Sequence, residues 1–144
     1  MLSPSRKRNS RTPYLIALLL IAALGIAVIV YSFSGWTASA KARKLRNPVA
    51  PTSASVAAGR GIYMDHCARC HAINGDGKSD KADELSVAPA DFTDAHKWVG
   101  VTDGELYWQV TKGKDPMPSY EDSLSETQRW QVVDYIREFA ATSR

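Results

Sequence analysis

The sequence predicts an all-α protein, a small helical head carried behind one N-terminal membrane helix. Three observations lead there: a charge-free apolar run near the start, three stretches of helical period opened by capping residues, and no run of alternating residues that reads as a strand. With 144 residues the chain has room for one small domain beside a membrane segment and no second globular domain. The division expected is residues 1–11 as a short basic N-terminus, 12–36 as a transmembrane anchor, 37–54 as a flexible linker and 55–144 as the head.

The anchor comes first. Thr12 to Ala40 contains no charged residue, and Tyr14 to Tyr31 is almost wholly Leu, Ile, Val and Ala. That is close to the ~20 residues needed to cross ~30 Å of hydrocarbon. Ala38-Ser39-Ala40 has the small-x-small form of a signal-peptide cleavage site. An apolar core of about 18 residues is longer than the 7–15 of a signal peptide, which favours an uncleaved anchor. Basic residues flank both ends, so charge alone does not orient the helix.

Charge divides the chain. Residues 1–50 hold eight basic side chains (Arg6, Lys7, Arg8, Arg11, Lys41, Arg43, Lys44, Arg46) and no acidic one. Of 18 Lys+Arg, ten remain in 51–144 against all 15 Asp+Glu, a net of −5. A nucleic-acid binder would carry its positive charge on the folded domain, so that class is excluded. The segment Lys41 to Ser55, with two prolines and little apolar content, has linker composition.

Within the head, Ser55 is placed to cap a helix bearing Val56, Gly59, Tyr63 and Cys67 at i, i+3 and i+4 spacing. Thr102-Asp103-Gly104-Glu105 has the capping-box form, leads into Leu106, Tyr107 and Val110, and meets Gly113 as a stop. Ser125-Glu126-Thr127-Gln128 is a second capping box, followed by an apolar stripe of Trp130, Val132, Val133, Ile136, Phe139 and Ala140. Between the first two helices, Ala72 to Trp98 is polar and punctuated by Gly, Asp and Pro. An irregular segment of that length in a compact domain is expected to wrap something.

Two cysteines, Cys67 and Cys70, are too few and too close for a disulfide framework. Followed by His71 they form C-x-x-C-H, the attachment signature of haem c: two thiols one helical turn apart add to the two vinyl groups of one haem, and the adjoining imidazole ligates the iron. A dithiol redox pair would need a βαβ context that is missing. Zinc would need two further ligands, with only His66 and His96 left to supply them.

An electron-transfer haem needs a sixth ligand. Met117 lies in Asp115-Pro116-Met117-Pro118, where two prolines stiffen the backbone and bias it towards an extended loop that can hold a thioether against iron. Met64, one turn before Cys67, reads as core filler, His66 as a solvated helix residue, and His96 as a residue of the polar loop.

On these residues the head, Val56 to Ala140, resembles the class I cytochrome c family. Gly59 and Tyr63 match the family's glycine and aromatic on the N-terminal helix, which crosses the C-terminal helix, here Trp130–Phe139 with Tyr135. The resemblance implies three to four helices wrapped around one covalent haem c, held through Cys67 and Cys70, with His71 and Met117 as axial ligands. It further implies that the loop at Pro89-Ala90-Asp91-Phe92 covers one haem face with a proline carbonyl accepting from His71, and that Tyr120 and Trp108 line the pocket, with ordinary core packing an equally good reading of these two aromatics. Ala72 stands where the family often has glycine.

The function implied is single-electron transfer between redox proteins of a respiratory or photosynthetic chain, as a tethered shuttle or as the cytochrome of a larger membrane complex, with no catalytic residues. Such haems are attached outside the cytoplasm, which would put residues 1–11 in the cytoplasm and the head on the periplasmic side of the cytoplasmic membrane, with lipid held by the N-terminal helix. An enzymatic alternative, a small peroxidase or gas-binding haem protein, requires a labile Met117. The acidic head favours partners that present basic residues.

Overall fold

A computed structural model describes residues 11–33 and 37–142. The chain separates into two units, Met1–Gly35 and Trp36–Arg144. The first contains helix α1, Arg11–Phe33, built of Leu, Ile, Val and Ala. Its large apolar side chains between Tyr14 and Val28 are 53–72% exposed. Counted over the described residues, no helix is long and apolar enough to cross a membrane.

The second unit holds α2 (Ala40–Arg43), α3 (Ser53–His66), α4 (Ala68–His71), 3-10 turns at Ala82–Glu84 and Ala95–Trp98, α5 (Asp103–Lys112) and α6 (Glu126–Thr142). Among the described residues there is no strand, only one isolated bridge between Lys114 and Met117. The all-α expectation holds.

The core is the crossing of α3 and α6. Gly59 makes it possible, because a Cβ there would collide with the backbone carbonyl of Gln131. Tyr63 is fully buried, its ring 5.3 Å from Tyr135 and 5.2 Å from Phe139, and its hydroxyl donates to the Ala72 carbonyl at 2.7 Å. From α6, Val132 and Val133 are completely buried, each adding about 1.5–3 kcal/mol relative to exposure.

One capping box closes in both directions and the other in one, its Glu105 carboxylate lying 3.5 Å from Arg43 Nε instead. Thr102 Oγ1 accepts from the Glu105 amide at 3.2 Å. Ser125 and Gln128 bond reciprocally, the Gln128 amide donating to Ser125 Oγ and the Ser125 amide to Gln128 Oε1. The first helix starts earlier than expected. Thr52 is its cap, and Ser55 is buried and donates to Asp134 Oδ2 at 2.8 Å, one turn into the helix.

The larger correction concerns residues 37–54, expected as a free linker. Ala38 and Ala42 are buried, α2 packs on α5, and Gly104 lacks the Cβ that would collide with the Ala42 carbonyl. Asn47 Nδ2 donates to Asp134 Oδ1 at 2.6 Å, and Arg43 donates to the Gly100 carbonyl at 2.9 Å. Small side chains and polar anchors, which look like linker composition, here are what allow close docking.

Candidate functional site

Helix α3 ends at His66. Cys67 caps it (φ −115, ψ −38) and opens the single turn α4, which carries Cys70 and His71. The His71 carbonyl then accepts from the Gly77 amide at 3.0 Å, and Ser79 Oγ donates to the carbonyl of Arg69 at 2.8 Å, so the loop after the motif is tied back onto α4. On the far side of the sequence, Lys114 and Met117 exchange both backbone hydrogen bonds, at 2.9 and 2.7 Å, across a turn with a cis Asp115–Pro116 bond. The proline loop is therefore a closed turn rather than the extended one expected.

These two segments meet. Cys67, Cys70, His71 and Met117 all line one crevice of about 340 Å³. Leu85, Val87 and Phe92 from the irregular loop, with Leu106, Val110 and Ile136 from the helices, make its wall predominantly apolar. The segment 72–98 does wrap this space, and Phe92 stacks on the His71 ring with centroids 4.7 Å apart and planes 17° from parallel.

Of the remaining sequence candidates, Tyr120 lines the crevice and its hydroxyl donates to the His66 carbonyl at 2.7 Å. Burial pushes that phenol up to about 12. Trp108 is not among the lining residues, a correction that follows from its place on α5: Leu106, Gln109 and Val110 occupy the face towards the crevice. His71 Nδ1 lies 3.3 Å from the carbonyl of Ala90, not of Pro89. The Pro89 carbonyl lies instead against Gly77, whose φ of +71 and missing Cβ admit it. His66 is exposed at the rim, His96 is exposed in the 3-10 turn away from the crevice, and half-buried Met64 packs on the core as filler. Sequence reasoning does not single out Leu85, Val87 or Gln109, because isolated residues in a loop or on a mixed helix face carry no period.

Ala72 is more consequential than its sequence position implies. It has φ +64 and ψ 160, a region that favours glycine and costs an alanine roughly 1–3 kcal/mol. Its carbonyl is held there by the Tyr63 hydroxyl.

The chemistry of the donors decides what the crevice can hold. Burial, with the neighbouring Cys70 adding to it, pushes the Cys67 thiol up to about 12, the reverse of the lowered value that a dithiol redox pair needs. Burial lowers His71, against a smaller upward effect of the Ala90 carbonyl, which favours the neutral ring. With Nδ1–H donating to Ala90, Nε2 keeps its lone pair for a metal. Two unpaired thiols, a neutral imidazole and a thioether around an apolar cleft fit haem c: Cys67 and Cys70 would form the thioethers, and His71 and Met117 would offer N and S to iron.

A helical head of this kind, wrapped around an apolar cleft with C-x-x-C-H at its wall, defines a c-type cytochrome domain. Residues 54–136, more than half of the chain, match the family described as cytochrome C oxidase, cbb3-type, subunit III, and the chain belongs to that family. It is 34% identical over 79 residues to cytochrome c6 of Euglena gracilis, covering 54% of this chain and 85% of that protein. To cytochrome c6 of Picosynechococcus sp. it is 30% identical over 96 residues, 64% of this chain and 80% of that one.

Among solved structures, a Kuenenia stuttgartiensis reducing HAO-like protein complex matches with a TM-score of 0.57 and 28% identity. That match covers 67% of this chain and about half, 48%, of that one. A c-type cytochrome, KustC0563, matches at TM-score 0.50 and 24% identity over 56% of this chain and 95% of that one, a likeness of fold. The protein is a monohaem c-type cytochrome and electron carrier homologous to cytochrome c6.

Proposed function

We propose that this cytochrome is anchored in the cytoplasmic membrane by α1 and passes single electrons on the periplasmic side, as the cytochrome of a larger membrane complex of a respiratory or photosynthetic chain. The observation that carries the electron-transfer site is the convergence of His71 and Met117 on one apolar crevice with the two thiols. His71 and Met117 would hold the iron of a haem in this crevice and leave it no open position for a substrate, and a thioether ligand would favour the reduced iron and raise the potential. The haem supplies the redox chemistry. The protein fixes His71 through Ala90 and Phe92, holds Met117 in its closed turn, and excludes water with the wall of Leu85, Val87, Leu106 and Ile136.

The anchor is supported by the exposed apolar side chains of residues 13–28, which are the described part of a longer charge-free run from Thr12 to Ala40. A mounted subunit is favoured over a roaming shuttle by the docking of residues 38–47 onto the head, which takes up most of the segment that would otherwise serve as a free tether. The family description, an oxidase subunit, points the same way.

Membranes from cells that mature c-type cytochromes provide the test. The full chain is expected to appear as a haem-stained band that resists high salt and alkaline carbonate and is released by detergent, while residues 37–144 alone are recovered without detergent. Release of the full chain by carbonate would refute the anchor.

A further inference from the structure

The acidic head carries one basic basin. Arg43, Lys44, Arg46 and Arg137, with Asp103, Val101 and Thr102, line a depression of about 530 Å³ remote in sequence from the haem motif. Two of these cations are engaged: Arg43 Nε lies 3.5 Å from Glu105 Oε2, and Arg137 bonds Asp103 at 2.8 Å. Lys44 and Arg46 are exposed, and among the described residues no hydrogen bond or ion pair engages either side chain. The basin thus keeps about two uncompensated positive charges on a domain whose residues 51–144 carry a net of −5.

Exposed aliphatic side chains lie near it in the chain: Leu45 lines the basin, and Val99 precedes its lining residue Val101 by two positions. Val99 is 83% exposed and Leu45 40% exposed, and Arg43 ties the two segments together by donating to the Gly100 carbonyl at 2.9 Å. Free cations beside exposed aliphatic side chains match a membrane interface, where the former meet phosphate headgroups and the latter enter the headgroup boundary. Chain order agrees: Lys44 and Arg46 follow α1 by eleven and thirteen residues, closer than any other described basic residue outside α2.

Resting on the anchor proposed above, we infer that this basin is a docking surface for anionic phospholipid headgroups, through which the head sits against the bilayer rather than swinging on its tether. The docked segment 38–47 is what converts the basic flank into part of the head's surface. Each free cation near an anionic surface adds about 1 kcal/mol, so two give on the order of 30-fold preference for a charged over a neutral bilayer.

The experiment is hydrogen exchange on the full haem-loaded chain in nanodiscs of phosphatidylcholine alone or with ~30% phosphatidylglycerol. Amides of 41–47 and 97–103 are expected to exchange on the order of tenfold more slowly in the anionic discs, with α3 and α6 unchanged. Lys44→Glu with Arg46→Glu is expected to abolish the difference while α3 and α6 keep their protection. Equal exchange in the two discs would overturn the docking surface and leave the anchor standing. Protection by inorganic phosphate added to neutral discs would overturn it in favour of a free-phosphate site, and failure of the chain to enter either disc would overturn the anchor and this placement together.

Discussion

The crossing of α3 and α6 and the crevice beside it are built from the same helices, yet one is complete and the other is not. At the crossing, Tyr63, Val132, Val133 and Ile136 are buried against each other, and the buried hydroxyls of Ser55 and Tyr63 each have an acceptor. At the crevice, Leu85, Val87, Leu106 and Val110 face a cavity of about 340 Å³. Interiors are packed close to crystal density, so an apolar space of that size in so small a head marks the seat of a group that is not polypeptide. The crossing stores the stability of the chain and the crevice stores its function.

The largest effect separating the two belongs to Gly59. Any side chain there meets the Gln131 backbone, which is not free to move, and Gly59→Val is expected to cost about 4 kcal/mol or more. Far-UV circular dichroism on heating would show it, and a variant as stable as the parent would mean that the helices do not cross at this residue.

Met117→Ala should behave oppositely. It removes a half-buried side chain at the crevice, so a loss of about 2 kcal/mol is expected with the helical signal intact, together with a lower midpoint potential in a redox titration. A variant with unchanged potential would remove Met117 from the iron.

Ala72→Gly is expected to stabilise by about 1 kcal/mol, a rise of roughly 4–8 °C in Tm, since it relieves the strain at φ +64 at the junction of the two regions. No gain in a calorimetric scan would show that Ala72 is unstrained.

The smallest effect is one of pH. Burial holds the Asp134 carboxyl above its ordinary range, with Asp103 adding to the shift and the bonds from Ser55 and Asn47 opposing it. Such a group binds its proton more tightly folded than unfolded, so its contribution to stability falls as pH rises from the ordinary carboxyl value through the raised one. Asp134→Asn should flatten that part of the stability profile between acid and neutral pH; an unaltered slope in parallel thermal melts would exclude this residue as its source.

What was legible in the sequence follows the range of the interactions. The box at Ser125 spans three residues and closes as read, and at Thr102 the cap forms without the return bond from Glu105. The C-x-x-C-H turn and Met117 are marked by chemistry so particular that their residues identify the crevice, and the structure brings them to it. The docking of 38–47 was not legible, because it depends on Asn47 reaching Asp134 across 87 positions and on Gly104 making room. Nor was the partner of His71, since every residue offers the same carbonyl and only the path of the loop selects Ala90 over Pro89. Trp108 was misplaced for a related reason: an aromatic on a short helix carries no sign of which neighbour it faces.

The most direct measurement is the reduced-minus-oxidised optical spectrum of the purified full chain, with a near-infrared scan of the oxidised form. A c-type spectrum with a methionine–iron charge-transfer band that disappears in Met117→Ala is the result expected of a crevice closed by His71 and Met117. Covalent haem without that band would contradict the ligation, and a chain matured under the same conditions without haem would contradict the site itself.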